Sequence, residues 1–182
     1  MQAAAVFLDR DGTIIEDVDY LNHPKDIKFF PGAVAAIKQL NEAGYKVIII
    51  SNQAGIARGL LTEDLLQTID KTIHKQVLSG GGHVDGSYYC PHHPDHGVYP
   101  YKQICECRKP HPGLLKKAQK DLNLDLSKSF MVGDKATDIE AGQRAGVTTI
   151  FVQTGRDKQA PADFTANDLP AAVGWILKKA GK

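Results

Sequence analysis

VFLDRDGTI, at residues 6–14, joins an apolar run to three charged residues and a glycine. The apolar part is typical of a strand that is buried on both faces of a parallel sheet. Asp9 and Asp11 are two positions apart, so in an extended chain both carboxylates point to the same side, and Gly12 lets the backbone turn tightly behind them. Two neighbouring anions repel each other, and a divalent cation relieves that repulsion. The stretch predicts a buried strand that ends at a cation site.

Short apolar runs alternate with amphipathic segments over the rest of the chain. The runs predict strands at residues 4–8, 46–51, 129–134 and 148–152, with a weaker candidate at 86–90. The spacing of apolar positions predicts helices at residues 31–43, 62–78, 112–122, 137–145 and 169–180. This alternation indicates an α/β fold with a doubly wound, mostly parallel sheet flanked by helices.

The chain is expected to fold as one domain, residues 1–182. Its composition, with 42% hydrophobic and 24% charged residues, is that of a globular protein. The stretch after Gly155 is expected to be a polar connector without chemistry. It leads to a last helix that packs Trp175, Ile176 and Leu177 on the domain.

Charge and hydropathy favour a small-molecule partner. Lys and Arg number 22 against 21 for Asp and Glu, and aromatic residues make up 7%, so neither a basic surface nor stacking aromatics indicate nucleic acid binding. No apolar run is long enough to span a membrane, and Asp9 interrupts the first one too early for a signal peptide. We therefore expect a cytoplasmic monomer that binds neither nucleic acid nor membrane. The alternative of a non-enzymatic, zinc-stabilised binding module is weaker, because it predicts such a basic or aromatic face.

Polar residues follow three of the predicted strands, where ligands bind in open α/β sheets. They are Asp9 and Asp11 after the first strand, Ser51 and Asn52 after the second, and Asp134 and Lys135 after the third. Asp138 could add another oxygen, or it could orient Lys135; the sequence leaves its role open. A carboxylate-rich, all-oxygen site suits Mg²⁺.

The residues around this predicted site suit phosphoryl transfer. Ser51 with the backbone N–H groups after it, and Lys109, could bind phosphoryl oxygens. One aspartate could attack phosphorus to give an acyl phosphate, while the other, with a raised pKa, protonates the leaving oxygen and later activates water. Turn and capping preferences explain each of these motifs singly, since Asp-Gly is a common turn. They do not explain all of them together.

Residues 90–107, which we call the Cys/His loop, carry the pattern of a tetrahedral metal site. Cys90 and His92 form one close pair and Cys105 and Cys107 another, which together offer four N/S ligands for Zn²⁺. A closed shell of four ligands makes the zinc structural. His93 and His96 are rivals for the nitrogen ligand, and three reduced thiols in a polar loop are the alternative.

The motifs DRDGT, ISNQ, RKP and GDKATD resemble, in type and order, the four motifs of the haloacid dehalogenase superfamily of phosphatases. The resemblance covers residues 6–154. It implies that Asp9 is the nucleophile and Asp11 the general acid/base, with Mg²⁺ held by Asp9, the Asp11 carbonyl and Asp134. It supports the zinc ligand set given above.

The resemblance also implies which residues contact the phosphoryl group and the substrate. Ser51 and Lys109 would steady the phosphoryl group. The implied substrate contacts are Asp17, Asp19, Tyr20, Ser51, Asn52, Gln53, Arg108, Lys109 and Lys135.

The substrate is limited by the lack of room for a cap domain, because 58 positions separate Ser51 from Lys109 and predicted elements use most of them. Arg108 and Lys109 suit a substrate with more than one anionic group. The resemblance implies D-glycero-D-manno-heptose 1,7-bisphosphate, which loses its 7-phosphate in the synthesis of nucleotide-activated heptose for a lipopolysaccharide core or an S-layer. Histidinol phosphate is the alternative substrate.

Overall fold

A computed structural model describes residues 2–181. Six parallel strands form one sheet in the order β3-β2-β1-β4-β5-β6. The strands are β1 Ala5–Leu8, β2 Lys46–Asn52, β3 Gly86–Cys90, β4 Phe130–Gly133, β5 Thr148–Val152 and β6 Phe164–Ala166. The helices are α1 Ala33–Glu42, α2 Ala54–Ala57, α3 Glu63–Ser79, α4 Gly113–Leu122, α5 Ala136–Ala145 and α6 Leu169–Lys179. The predicted doubly wound, parallel α/β fold is confirmed.

The alternation of side chains along the central strand builds two cores. Val6 and Leu8 of β1 belong to a cluster that includes the buried faces of α1, α3 and α6. Ala5 and Phe7 belong to a second cluster on the opposite face, with α4 and α5. All four strand residues are fully buried. Each large aliphatic side chain buried in this way stabilises the fold by about 1.5–3 kcal/mol, which is why the strands are apolar throughout.

Helix ends follow local chemistry. Helix α3 begins after Thr62, whose hydroxyl accepts a hydrogen bond from the N–H of Leu65 at 3.2 Å, and its C-cap is Gly80. Helix α1 begins at Ala33 rather than at the predicted Pro31, because Gly32 adopts a left-handed conformation with φ 76° at the N-cap.

The prediction for the chain after Gly155 is only partly right. Phe164–Ala166 form the edge strand β6, which pairs with β5, and the prediction of a connector alone is wrong there. Three residues in a polar context are too few to give a periodic pattern. Phe164 stacks on Trp175 of α6 with ring centroids 4.6 Å apart. The predicted packing of α6 is confirmed, since Ile176 is buried and Trp175 and Leu177 pack against the core.

The sheet has a topological switch point between β1 and β4, because β2 and β3 are added on one side of β1 and β4, β5 and β6 on the other. Asp9 N–H donates to the carbonyl of Val132 at 2.9 Å, which sets the ends of these two strands side by side. A crevice forms at such a point in open α/β sheets. Between β2 and Lys109 the chain holds only α2, α3, β3 and the Cys/His loop. Among residues 2–181, every helix is too short or too polar to cross a membrane.

Candidate active site

Three buried aspartates meet at the carboxyl ends of β1 and β4. Asp9 follows β1, Asp134 follows β4, and Asp138 lies in the first turn of α5. Asp9 is 4% exposed and the other two are fully buried. One carboxylate oxygen from each lies within 4.8 Å of those of the other two. The parallel pairing of β1 with β4 therefore brings together side chains that are more than 120 positions apart.

Lys109 supplies a buried positive charge inside this cluster, and Lys135 lies 3.9 Å from Asp134 at its edge. Its Nζ lies 2.6 Å from an oxygen of Asp9 and 2.6 Å from an oxygen of Asp138, and donates to the Ile50 carbonyl at 2.9 Å. Burial lowers the pKa of Lys109, but the carboxylates of Asp138 and Asp9 outweigh it and the net shift is upward. Burial and the charge of Asp9 raise the pKa of Asp138 to about 6, against the opposing effect of Lys109.

The cluster carries more negative charge than Lys109 neutralises. The Oδ2 atom of Asp9 is buried without a hydrogen-bond partner. Burial, followed by the charge of Asp9, raises the pKa of Asp134 to about 8. A buried carboxylate oxygen without a partner is costly, and a cation satisfies it. These oxygens therefore fit Mg²⁺, a hard cation that takes oxygen ligands.

Two glycines let the backbone approach the Asp134 carboxylate. A Cβ atom at Gly155 would lie 1.8 Å from Asp134 Oδ2, and one at Gly12 would lie 2.5 Å from the same atom. Thr13, the last residue of the DRDGT motif, donates its hydroxyl to the other Asp134 oxygen at 3.4 Å. Any other residue at Gly155 would push Asp134 out of place.

Asp11 is held beside this cluster by Arg10 and Gln53. Arg10 lies 3.0 Å from Asp11 and 3.3 Å from Asp70 of α3, and its side chain is buried. Gln53 Nε2 donates to Asp11 Oδ2 at 3.0 Å and to Ser51 Oγ at 3.2 Å, so it links the ends of β1 and β2. The DRD charges are thus separated: Asp9 pairs with Lys109, and Arg10 with Asp11 and Asp70. The sequence analysis missed Asp70, because nothing local marks an aspartate in a helix as a partner of Arg10.

A cleft of about 180 Å³ opens above these residues. It is lined by most of the residues that the resemblance implied as substrate contacts. They are Asp17, Asp19, Tyr20, Asn52, Gln53 and Lys135. Asp11 and Arg156 also line the cleft. Burial lowers the pKa of Lys135, but the charges of Asp9 and Asp134 outweigh it and raise the pKa overall.

Arg108 and Arg156 lie where the sequence analysis did not put them. Arg108 lines a separate cleft of about 200 Å³ beside Cys105, and it donates to the carbonyl of His92 at 3.1 Å. Arg156, in the stretch that the sequence predicts to carry no chemistry, lines the main cleft and pairs with Asp17 at 2.8 Å. It lies four positions beyond β5, so the rule that functional residues follow strand ends could have found it.

The Cys/His loop brings its four predicted ligand atoms together. Cys107 Sγ lies 3.2 Å from the Sγ atoms of Cys90 and Cys105 and 3.3 Å from His92 Nδ1. All four atoms lie within 4.8 Å of one another. A disulfide needs sulfurs about 2.05 Å apart, whereas two thiolates on one zinc ion lie about 3.8 Å apart. The spacing therefore fits a metal site. The hydrogen bond between Cys107 and Cys90 is the largest of the effects that lower the pKa of Cys107 to about 5.

The rival histidines are placed elsewhere. His93 Nδ1 accepts hydrogen bonds from the backbone N–H groups of Asp95 and His96, and its ring packs on that of His96. The four-ligand cluster contains neither of them. Both therefore shape the turn of the Cys/His loop.

Asn52 and Gln53 join the carboxyl end of β2 to the Cys/His loop and to Lys109 beyond it. The side-chain NH2 of Asn52 donates to the carbonyl of Lys109 at 3.0 Å, and the side-chain oxygen of Asn52 accepts from the N–H of Lys109 at 3.0 Å. Gln53 N–H donates to the carbonyl of Cys90 at 2.8 Å. These contacts fix where Lys109 enters the cluster.

Comparison with known proteins identifies the families and the individual proteins that this chain resembles. The haloacid dehalogenase-like hydrolase family matches residues 6–99, and a HAD-hydrolase-like family matches residues 106–174. The D-glycero-beta-D-manno-heptose-1,7-bisphosphate 7-phosphatase of Yersinia pestis is 40% identical over 177 residues, 93% of this chain and 94% of that protein. The protein of the same name from Vibrio cholerae is 43% identical over 157 residues, 86% of this chain and 84% of that protein.

The fold of this chain is also similar to a solved structure of a protein of that activity. The crystal structure of D,D-heptose 1,7-bisphosphate phosphatase from B. bronchiseptica, complexed with magnesium and phosphate, superposes with a TM-score of 0.85 at 32% identity. It covers 97% of this chain and 99% of that chain. The resemblance found in the four motifs is confirmed: the chain belongs to the haloacid dehalogenase-like hydrolase family.

Proposed function

We propose that this protein is a Mg²⁺-dependent phosphatase that removes the 7-phosphate of D-glycero-β-D-manno-heptose 1,7-bisphosphate. The observation that carries the proposal is the state of Asp9. One of its oxygens is fixed by Lys109 and the other is buried without a partner, within reach of Asp134. A carboxylate held in this way is suited to attack phosphorus. The names of the relatives supply the substrate, including the β anomer.

In the first step, an oxygen of Asp9 bonds to phosphorus and the bond from phosphorus to the C7 oxygen breaks. Asp11 gives its proton to that oxygen, which leaves as the sugar hydroxyl. In the second step, Asp11 takes a proton from water, the water oxygen bonds to phosphorus, and the acyl phosphate bond to Asp9 breaks to release inorganic phosphate. The link from Gln53 to both Ser51 and Asp11 keeps the phosphoryl-binding hydroxyl and the acid in register.

Positive charge around the phosphoryl group comes from Lys109 and from the metal. Asp9, the Asp11 carbonyl and Asp134 would hold Mg²⁺, which when bound offsets the charge of the phosphoryl oxygens. Lys109 and Ser51 would bind those oxygens directly. Asp138 pairs with Lys109 at 2.6 Å, so we assign it the positioning of that lysine.

The sugar would lie in the main cleft against Asp17, Asp19, Tyr20 and Asn52, whose side-chain oxygens can accept further hydrogen bonds from hydroxyl groups. Lys135 and Gln53 would complete the wall. Arg108 remains our candidate for the second phosphate, for which it must leave the carbonyl of His92. The approach of Arg108 to the cleft is therefore part of the proposal.

We assign Zn²⁺ to Cys90, His92, Cys105 and Cys107 in a structural role. Four protein ligands close the shell, so no catalytic water is expected on this ion. Its task is to fix the Cys/His loop, from which Arg108 and Lys109 follow directly. The proposal also places the enzyme in the cytoplasm. It further predicts a monomer, and size-exclusion chromatography with light scattering tests that oligomeric state.

A panel of substrates with Mg²⁺ tests the function. We expect kcat/KM to be highest for the β-heptose bisphosphate, with the anomeric phosphate retained in the product by ³¹P NMR. The α anomer and histidinol phosphate are the competitors. Dominant turnover of histidinol phosphate would refute the substrate assignment.

The variant Asp9→Asn tests the chemistry. It should lose at least about a thousandfold in kcat, because the carboxylate oxygen that forms the acyl phosphate is replaced by an amide. Its zinc content and circular dichroism should match the wild type. An unchanged rate would contradict Asp9 as nucleophile, and a wild type without any phosphatase activity would favour the binding-module alternative.

A further inference from the structure

One wall of the main cleft is a strained loop, residues 17–20. Asp19 has φ 61° and Tyr20 has φ 103°, both in the left-handed region. Side chains with a Cβ disfavour this region, and a bulky residue such as tyrosine does so strongly. Such a conformation persists only where neighbouring contacts hold it. The residues that hold this loop therefore determine the shape of the sugar-binding wall.

Arg156 makes three ionic contacts to the loop from across the cleft, and Lys135 adds a longer one to Asp17 at 3.5 Å. Its Nε lies 2.8 Å from one oxygen of Asp17 and its guanidinium NH2 lies 3.1 Å from the other, which is a bidentate pair. The same NH2 group pairs with Asp19. The side chain of Asp17 is 17% exposed and that of Arg156 is 52% exposed, so the pair is shielded from solvent only on the Asp17 side.

The backbone that carries Arg156 is itself attached to the catalytic strand ends. The N–H of Arg156 donates to Asp134 Oδ2 at 3.4 Å, and the hydroxyl of Thr154 donates to the carbonyl of Gly12 at 2.6 Å. Gly155, between them, lies against the Asp134 carboxylate. The backbone of Arg156 thus contacts the proposed magnesium site, and its guanidinium group contacts the sugar-binding wall.

We propose that Arg156 is a positioning residue that fixes the loop of residues 17–20 in register with Asp134, and so sets the affinity for the sugar. The proposal rests on the function proposed above and adds a residue to it. Arg156 acts through Asp17 and Asp19 and makes no contact with the reacting atoms. Its substitution should therefore change binding of the sugar more than the chemical step.

Kinetics of Arg156→Ala test this role with three phosphate esters. For heptose 1,7-bisphosphate and for heptose 7-phosphate, KM should rise about tenfold and kcat should change much less, because a bidentate pair in a network is lost. The ratio of kcat/KM for heptose 7-phosphate to that for p-nitrophenyl phosphate should fall about tenfold. Arg156→Lys should recover part of the loss, since an ammonium keeps the charge without the fork.

Two kinetic outcomes would overturn the proposal. An equal loss with all three esters would place Arg156 in the chemical step. A rise in KM for the bisphosphate alone would show that Arg156 binds the second phosphate directly. The control is Arg144→Ala, which removes an exposed arginine that pairs with Glu140 on α5, away from the cleft.

Hydrogen exchange tests the same role without any substrate. Amides of residues 16–21 should exchange at least about fivefold faster in Arg156→Ala than in the wild type and in Arg144→Ala, because the strained loop opens more often. Unchanged exchange there would overturn the proposal. If the wild type hydrolysed p-nitrophenyl phosphate but no heptose phosphate, the proposed substrate would fail, while the exchange rates would still decide the role of Arg156.

Discussion

Lys109→Met removes the cation that lies between two buried carboxylates. Methionine has a similar length and no charge, so packing is largely kept. Asp9 and Asp138 each lose a partner at 2.6 Å, and both remain buried. Breaking a buried pair by removing one partner costs about 3–5 kcal/mol. Because the whole fold is stable by only about 5–15 kcal/mol, this one change should remove a large share of the free energy of unfolding.

The loss should depend on pH, with a sign that the structure fixes. The pKa of Asp138 is raised to about 6 because burial and the charge of Asp9 raise it by more than Lys109 lowers it. Without Lys109 the folded-state pKa of Asp138 rises further above its unfolded value. A carboxyl with a raised folded pKa stabilises the fold below its unfolded pKa, and that contribution is lost as the pH rises through the folded pKa. The cost of Lys109→Met should therefore be larger at pH 8 than at pH 5.

Urea unfolding followed by circular dichroism at pH 5 and pH 8, with EDTA present, measures both effects. Lys117→Met is the matched control, because Lys117 pairs with Asp121 at 2.8 Å on the exposed face of α4. Its unfolding midpoint should barely move. A loss below about 1 kcal/mol for Lys109→Met, or the same loss at both pH values, would refute the buried-pair reasoning.

Three further perturbations test the metal sites. Gly155→Ala should abolish Mg²⁺ binding and activity, because its Cβ would lie 1.8 Å from Asp134 Oδ2. The control Gly174→Ala, in open space on α6, should stabilise the fold by about 0.5–1 kcal/mol. Equal activity in the two variants would contradict the close approach of Gly155 to Asp134. Mg²⁺ affinity should rise from pH 6 to pH 8 by up to about tenfold per pH unit, because the ion displaces the proton that Asp134 holds with a pKa of about 8. Titration calorimetry in two buffers should detect the released proton. A pH-independent affinity would contradict Asp134 as a magnesium ligand. Cys105→Ser should lower the zinc content from one ion per chain and lower the melting temperature by several degrees; a zinc-to-protein ratio near zero in the dialysed wild type would rule the zinc site out.

The sequence by itself determined the fold class and the principal parts of the site. Apolar runs alternating with amphipathic segments require a parallel sheet covered by helices, since each pattern encodes which faces are buried. The strand-end rule then selected Asp9, Ser51 and Asp134, because their places depend on strand register alone. The spacing of Cys90, His92, Cys105 and Cys107 predicted a zinc site in the Cys/His loop, with His93 and His96 as rivals for the nitrogen ligand.

Only the tertiary structure decided how charges are shared within that site. It paired Lys109 with both Asp9 and Asp138, turned Arg108 towards the backbone of the Cys/His loop, and brought Arg156 across 139 positions to Asp17. The edge strand β6 likewise forms because β5 offers it a partner. Ion pairs and edge pairing between distant segments leave no local periodicity, so they follow from the packing of the strands and not from the residues beside them.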